Sequence, residues 1–154
     1  CNAARQCRNL PFADATFDFA ISEYGAAIWA DPHRWIPEAH RLLRPGSRLV
    51  FLGNSPIQML CVPNDGSETT TRLQRPYFGM HRFDWRSLEI DPGGVEFNLT
   101  ISAWVGLFAK TGFTIEDYLE LAAPAHAAGA PFGVSAEWAH SYPSEQVWIL
   151  RKQK

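Results

Sequence analysis

Short apolar runs between turn-forming residues organise this chain. Residues 17–22 are almost wholly apolar apart from Asp18, and the turn-forming residues 11–16 precede them. An apolar run of this length after a turn is typical of a strand that is covered on both faces. Three more runs of this kind predict further strands at residues 48–52, 113–121 and 145–150.

A helical pattern follows the first predicted strand. Its apolar positions share one face of a helix, and they are Trp35, Ile36, Ala39, Leu42 and Leu43. Pro37 leaves two starting points open. In one, Asp31 caps a helix that starts at Pro32 and bends at Pro37. In the other, a short turn precedes a helix that starts at Pro37. Both helices end at Arg44, before the Pro-Gly pair at residues 45–46.

The order strand, helix, strand predicts a crossover with parallel pairing, which makes the fold class α/β. A second helical stripe follows at residues 101–108, with Gly112 as its expected C-terminal cap. Between these parts, residues 54–98 carry repeated proline and glycine and keep no period for long. Such a segment inside a small domain is usually functional, so we predict an irregular, cap-like insertion here.

Composition and charge narrow the classes of partner. The formal net charge is −2 and no run of Lys or Arg occurs, so a nucleic-acid or anionic-membrane surface is not indicated. The three cysteines lack the Cys-x-x-Cys spacing, and the histidines lack a ligand spacing, so neither a disulfide framework nor a metal site is predicted. We therefore expect small-molecule or protein partners and a cytoplasmic location.

Four stretches together carry a family resemblance. They are LPFADATFDFAIS at residues 10–22, SEYG at 22–25, LLRPGSRLVFLG at 42–53 and KTGFTIEDY at 110–118. This string resembles the second half of a class I S-adenosylmethionine-dependent methyltransferase, and looks most like the small-molecule branch called type 11. The resemblance implies a single partial domain over residues 1–154 that supplies strands 4 to 7 of a Rossmann-like sheet.

The family's cofactor loop has no counterpart in this chain. Family members hold the cofactor with a glycine-rich loop after their first strand and an acidic residue after their second. Only nine residues precede Leu10, which leaves no room for either feature. We therefore expect the C-terminal part of a larger enzyme, without its N-terminal glycine-loop half. Residues 17–22 would then form an exposed sheet edge, which predicts self-association or pairing with the missing half.

The resemblance implies transfer of a methyl group from S-adenosylmethionine to a small-molecule acceptor by a larger or associated enzyme. The cofactor site would be incomplete in this chain, and activity of the isolated chain stays open. The alternative is a non-catalytic half that folds and acts only in assembly with a partner or with itself. A nucleotide-dependent oxidoreductase is disfavoured because the sequence has neither a glycine fingerprint nor a Tyr-x-x-x-Lys pair.

The resemblance also implies cofactor-binding residues. Gln6 and Cys7 occupy the positions that contact the adenine, although a frayed terminus without a role is an equal alternative. Ser22, Glu23 and Tyr24 follow the first strand, at the edge where open α/β sheets collect ligands. We expect these three near the sulfonium and the acceptor, and the alternative for them is an exposed polar turn.

Aromatic residues and one histidine concentrate at residues 77–85. Methyl transfer requires an aligned acceptor and in some cases a base, and histidine exchanges protons near neutral pH. We therefore predict a catalytic or substrate-contacting role for His81, with Tyr77, Trp85 and Trp29 as substrate-binding residues. The alternatives are a loop held by its own aromatic rings, and core packing for Trp29.

Overall fold

The computed structural model describes residues 10–88 and 94–154. The strands of these residues are β1 (Phe17–Glu23), β2 (Leu43–Asn54), β3 (Arg82–Asp84), β4 (Val95–Phe97), β5 (Phe113–Leu121) and β6 (Glu145–Lys152). The helices are α1 (Gly25–Trp29), α2 (Pro32–Leu42), α3 (Pro56–Cys61), α4 (Ile101–Thr111) and α5 (Ala136–Ser141), with a 3-10 turn at Pro131–Gly133. None of the helices in these residues is long and apolar enough to cross a membrane.

Four strands form one mixed sheet in the order β1-β2-β6-β5. β1 and β2 are parallel, whereas β6 runs antiparallel to both of its neighbours. The predicted α/β class and the parallel first pair are therefore confirmed. β3 and β4 form a separate antiparallel hairpin. With α3, this hairpin supplies the short regular elements within residues 54–98.

The start of α2 is the first of the two predicted alternatives. The Asp31 carboxylate accepts a hydrogen bond of 3.0 Å from the backbone N–H of His33, and Pro32 is the first helical residue. Pro37 lies inside the helix. The predicted end at Arg44 is wrong, because α2 ends at Leu42. Leu43 instead pairs with β1 and is fully buried, so sheet pairing outweighs the local stop signal.

The main core lies where α2 and α4 pack on the sheet. The rings of Phe51, Trp104, Phe108 and Trp148 meet at centroid distances of 5.1 to 6.0 Å. α4 ends as predicted at Gly112, whose φ of 92° lies in the left-handed region. A Cβ at Gly112 would lie 3.0 Å from Nε2 of His40, so both backbone conformation and space favour glycine there.

β1 lies at an edge of the described sheet, as predicted. Ala20 packs against the core, but Phe17, Phe19 and Ile21 are 37%, 52% and 69% exposed. The prediction that this strand is covered on both faces therefore does not hold within the described residues. An edge of this kind presents unpaired backbone groups beside apolar side chains.

Candidate functional site

A strained turn follows β1 at the carboxyl edge of the sheet. Tyr24 has φ 51° and ψ −93°, and Gly25 has φ 33°. The Ser22 hydroxyl donates to the Tyr24 carbonyl at 3.1 Å and accepts from the Ala27 N–H at 3.2 Å. Ser22 thus holds the turn that exposes Glu23 and leaves Tyr24 half-buried. A non-glycine residue with positive φ costs energy, and such residues concentrate at functional sites.

Carboxylates collect beside this turn. Glu23 pairs with Leu52 of β2, and Asn54 of β2 pairs with Glu145 of β6, so these residues share one end of the sheet. Burial, and then the negative charge of Glu23, raise the pKa of Glu145. The carboxyl ends of β1 and β2 therefore present an acidic edge next to the strained turn.

A buried carboxylate lies under the same edge. Glu96 of β4 is 7% exposed and accepts hydrogen bonds from two neutral donors. The Asn54 amide donates to Oε1, and Nε1 of Trp85 donates to Oε2 at 3.1 Å. Burial raises the pKa of Glu96, because a low-dielectric interior disfavours the charged form.

Two further amides surround Asn54. The side chains of Asn98 and Gln146 donate to its carbonyl at 2.7 and 3.1 Å. Their own amide oxygens accept from the indole N–H groups of Trp104 and Trp148. Sequence reasoning missed this network and Glu96, because single Asn, Gln and Glu residues far apart in the chain form no local pattern.

His81 lies next to the start of α2. Its Nε2 is 3.1 Å from Oδ1 of Asp31, and its side chain is 39% exposed. The imidazole centroid lies 5.4 Å from the ring centroids of both His33 and Phe97. Asp31 therefore serves both as the cap of α2 and as the partner of His81, a pairing across 50 positions that the sequence did not indicate.

His81 and Trp85 line one open groove of about 540 Å³, together with Arg75, Phe78, Arg82 and Asp84 among others. Trp85 is only 7% exposed. Arg75 lies 5.0 Å from the Phe83 ring centroid and donates to the backbone carbonyl of Val62 at 2.7 Å. The lining of this groove thus combines buried aromatic rings with a partly exposed imidazole.

The other predicted acceptor residues lie outside the lining of this groove. The Tyr77 hydroxyl accepts from the N–H of Ile101 at 3.0 Å, at the first residue of α4. Trp29 is half-buried at the end of α1, which packs against β4. Its ring lies 3.8 Å from the point where a Cβ on Gly94 would stand.

A second groove of about 460 Å³ runs along β1. It is mainly apolar and is lined by Phe12, Phe19, Ile21, Ser22 and Trp35 among others. The Trp35 side chain is buried, and its Nε1 has no hydrogen-bond partner among residues 10–88 and 94–154. Ser22 of the predicted cofactor residues lines this second groove, whereas His81 and Trp85 line the first groove. The predicted cofactor residues Gln6 and Cys7 lie outside the described residues.

Comparisons with known proteins match the first third of the chain to a family model. Residues 3–51 match a family model described as a methyltransferase domain. An uncharacterized protein of Escherichia coli K12, YafE, is 46% identical over 44 residues, which are 29% of this chain and 21% of that protein. The chain therefore spans about a fifth of the length of this curated relative.

Solved structures share the fold over nearly the whole chain. An S-adenosylmethionine-dependent methyltransferase from Mesorhizobium loti is 22% identical with a TM-score of 0.69, covering 95% of this chain and 66% of its own. A protein of the same class from Listeria monocytogenes is 13% identical with a TM-score of 0.73, covering 96% and 67%. The family match over residues 3–51 and the shared fold confirm the resemblance to class I S-adenosylmethionine-dependent methyltransferases that the sequence showed.

Proposed function

We propose that this chain takes part in methyl transfer from S-adenosylmethionine to a small-molecule acceptor, as part of a larger or associated enzyme. The observation that carries the proposal is the strained turn at residues 22–25. Tyr24 holds a costly backbone conformation at the carboxyl end of β1, and the Ser22 hydroxyl is used to maintain it. In open α/β sheets this edge is where ligands bind.

Residues of this turn would hold one side of the cofactor. Glu23 offers an exposed carboxylate, and Tyr24 offers a half-buried ring next to it. The sequence contains no Gly-x-Gly segment, so the contacts that such a loop makes must come from other residues. S-adenosylmethionine, when bound, supplies an electrophilic methyl group on a sulfonium. The protein then has to orient the acceptor and exclude water.

The groove beside His81 is the proposed acceptor site. Its volume of about 540 Å³ lies within the usual range for small-molecule sites, and aromatic side chains form its floor. With Nε2 of His81 directed at Asp31, the Nδ1 atom is the one that takes a proton from the acceptor. Asp31 holds the imidazole in place, as a carboxylate does for many catalytic histidines.

Isothermal titration of S-adenosylmethionine into the chain tests the cofactor part of this proposal. We expect binding in the micromolar range that Glu23→Gln weakens by about tenfold, the effect of one lost charge-assisted contact. Glu120→Gln is the matched control, because Glu120 is an exposed carboxylate on β5. If Glu23→Gln binds the cofactor as tightly as the parent chain, Glu23 does not contact it and the cofactor part of the proposal fails.

A second candidate function is assembly without catalysis, and the free edge of β1 favours it. Phe19 and Ile21 are more than half exposed, and the buried indole N–H of Trp35 beside them lacks a partner in the described part of the chain. The occupant we propose is a parallel strand from the N-terminal half of a class I methyltransferase. The solved relatives are about half as long again as this chain, since it covers 66% and 67% of them. Sedimentation velocity of the chain with and without such a half tests this candidate, and a compact monomer that does not bind the half contradicts it.

A further inference from the structure

Glu96 joins the two sheets of the molecule. One of its carboxylate oxygens accepts from Asn54, the last residue of β2, and the other accepts from Trp85, directly after β3. Glu96 itself lies in the middle of β4, paired with Phe83. A single buried side chain thus accepts one hydrogen bond from the main sheet and one from the residue that directly follows β3.

Asn98 supports the same connection from the other end of β4. Its side chain donates to the Asn54 carbonyl at 2.7 Å, and its backbone N–H donates to the His81 carbonyl at 3.0 Å. The hairpin is closed at its opposite end by the Trp85 N–H, which donates to the Gly94 carbonyl at 2.8 Å. The position of His81 therefore depends on how firmly β4 is held against Asn54.

Burial raises the pKa of Glu96, whereas the hydrogen bonds from Asn54 and Trp85 oppose this shift. Of the charged groups within residues 10–88 and 94–154, Arg75 is the one whose charge favours the ionised form. The Arg75 guanidinium, however, donates to the carbonyls of Met59 and Val62 and to the Asn64 side chain. An uncharged carboxyl carries one O–H donor, and rotation of the Asn54 amide presents its oxygen to that donor.

We propose that Glu96 is a positioning residue, which through its hydrogen bonds with Asn54 and Trp85 fixes the β3–β4 hairpin, and with it His81 and Trp85, to the carboxyl end of β2. Removal of this side chain would leave the Asn54 and Trp85 donors without their acceptor and weaken this connection. The acceptor groove would then loosen while the main sheet stays intact. The proposal rests on the proposed function only in treating this groove as the acceptor site.

The indole N–H signals in the nuclear magnetic resonance spectrum of the full chain test the contact between Glu96 and Trp85. Trp85 donates to Glu96, whereas Trp138 donates to the Thr70 carbonyl, which does not titrate. We expect the Trp85 signal, assigned with Trp85→Phe, to move as the pH rises from about 4 to about 9. In Glu96→Gln this movement should be lost. A Trp85 signal that moves equally in Glu96→Gln, or that does not move in either form, overturns the proposal.

Amide hydrogen exchange tests the positioning itself. In Glu96→Ala, the amides of Trp85 and Asn98 should exchange about tenfold or more faster than in the parent chain, whereas amides of β5 and β6 stay protected. Glu96→Gln should restore most of the protection, because glutamine keeps both hydrogen bonds. Glu116→Ala, a surface carboxylate on β5, serves as the control. Equal exchange in all variants contradicts the proposal, and none of these readouts depends on cofactor binding or activity.

Discussion

We expect Glu96→Gln to have a higher free energy of unfolding than the parent chain, by an amount that grows as the pH rises. Burial raises the folded-state pKa of Glu96 above its ordinary value of 4.5, so its stabilising contribution is complete below that value. The contribution is lost as the pH rises through the folded-state pKa, because the folded protein then has to release a proton that the unfolded chain has already released. Glutamine cannot ionise, so Glu96→Gln does not suffer this loss.

The size of this stability difference follows from the release of one proton by Glu96. Between the two pKa values, the free energy of unfolding of the parent chain should fall relative to that of Glu96→Gln by up to about 1.4 kcal/mol per pH unit. Below pH 4.5 the two should agree within about 1 kcal/mol, since a rotated Asn54 amide allows glutamine to keep both bonds. Glu96→Ala leaves the buried Trp85 donor and the half-buried Asn54 donor unsatisfied and should cost about 1–4 kcal/mol at low pH.

Urea unfolding of the three forms at a series of pH values measures these differences, provided that the m-values agree. Glu116→Gln is an informative control, because hydrogen bonds with Arg48, and then with Arg151, lower the pKa of Glu116. The stabilising contribution of Glu116 is present above its unfolded-state pKa and is lost as the pH falls. Its pH dependence is therefore opposite to that of Glu96. A stability difference between Glu96→Gln and the parent chain that is constant over pH, or that shrinks as the pH rises, refutes the reasoning.

Three other predictions concern the helix cap, the sheet edge and the acceptor groove. Gly112→Ala should destabilise the chain by about 1–2 kcal/mol in urea unfolding, because φ is 92° and the new Cβ would meet His40. Gly106→Ala, within α4 and with open space around it, should instead stabilise by about 1 kcal/mol, and equal effects at both positions would contradict this account. Ile21→Lys should abolish any association through β1 in sedimentation velocity while the circular dichroism spectrum stays unchanged, and an undiminished complex would exclude this edge as the interface. His81→Gln should lower methyl-transfer turnover about 100-fold or more with cofactor affinity within about twofold, and unchanged turnover would remove His81 from the catalytic role.

Local patterns in the sequence determined most of the secondary structure. The four strands of the main sheet were predicted from apolar runs, and β5 has the predicted bounds of Phe113–Leu121. The end of α4 at Gly112 followed from the positive φ that glycine adopts without strain. These features depend on residues within a few positions of one another, so a periodic pattern is enough to reveal them. The family resemblance added the expectation that these strands belong to a Rossmann-like sheet, which local patterns do not indicate.

Only the tertiary structure decided the contacts that build the candidate site. Leu43 leaves α2 because it pairs with Phe17, and His81 meets Asp31 from 50 positions away. Glu96 is a single charged residue in a stretch without periodicity, and its burial depends on Asn54 and Trp85 arriving on opposite sides. The sequence indicates which face of an element is apolar. Which hydrogen-bond partner a polar side chain meets depends on the path of the whole chain.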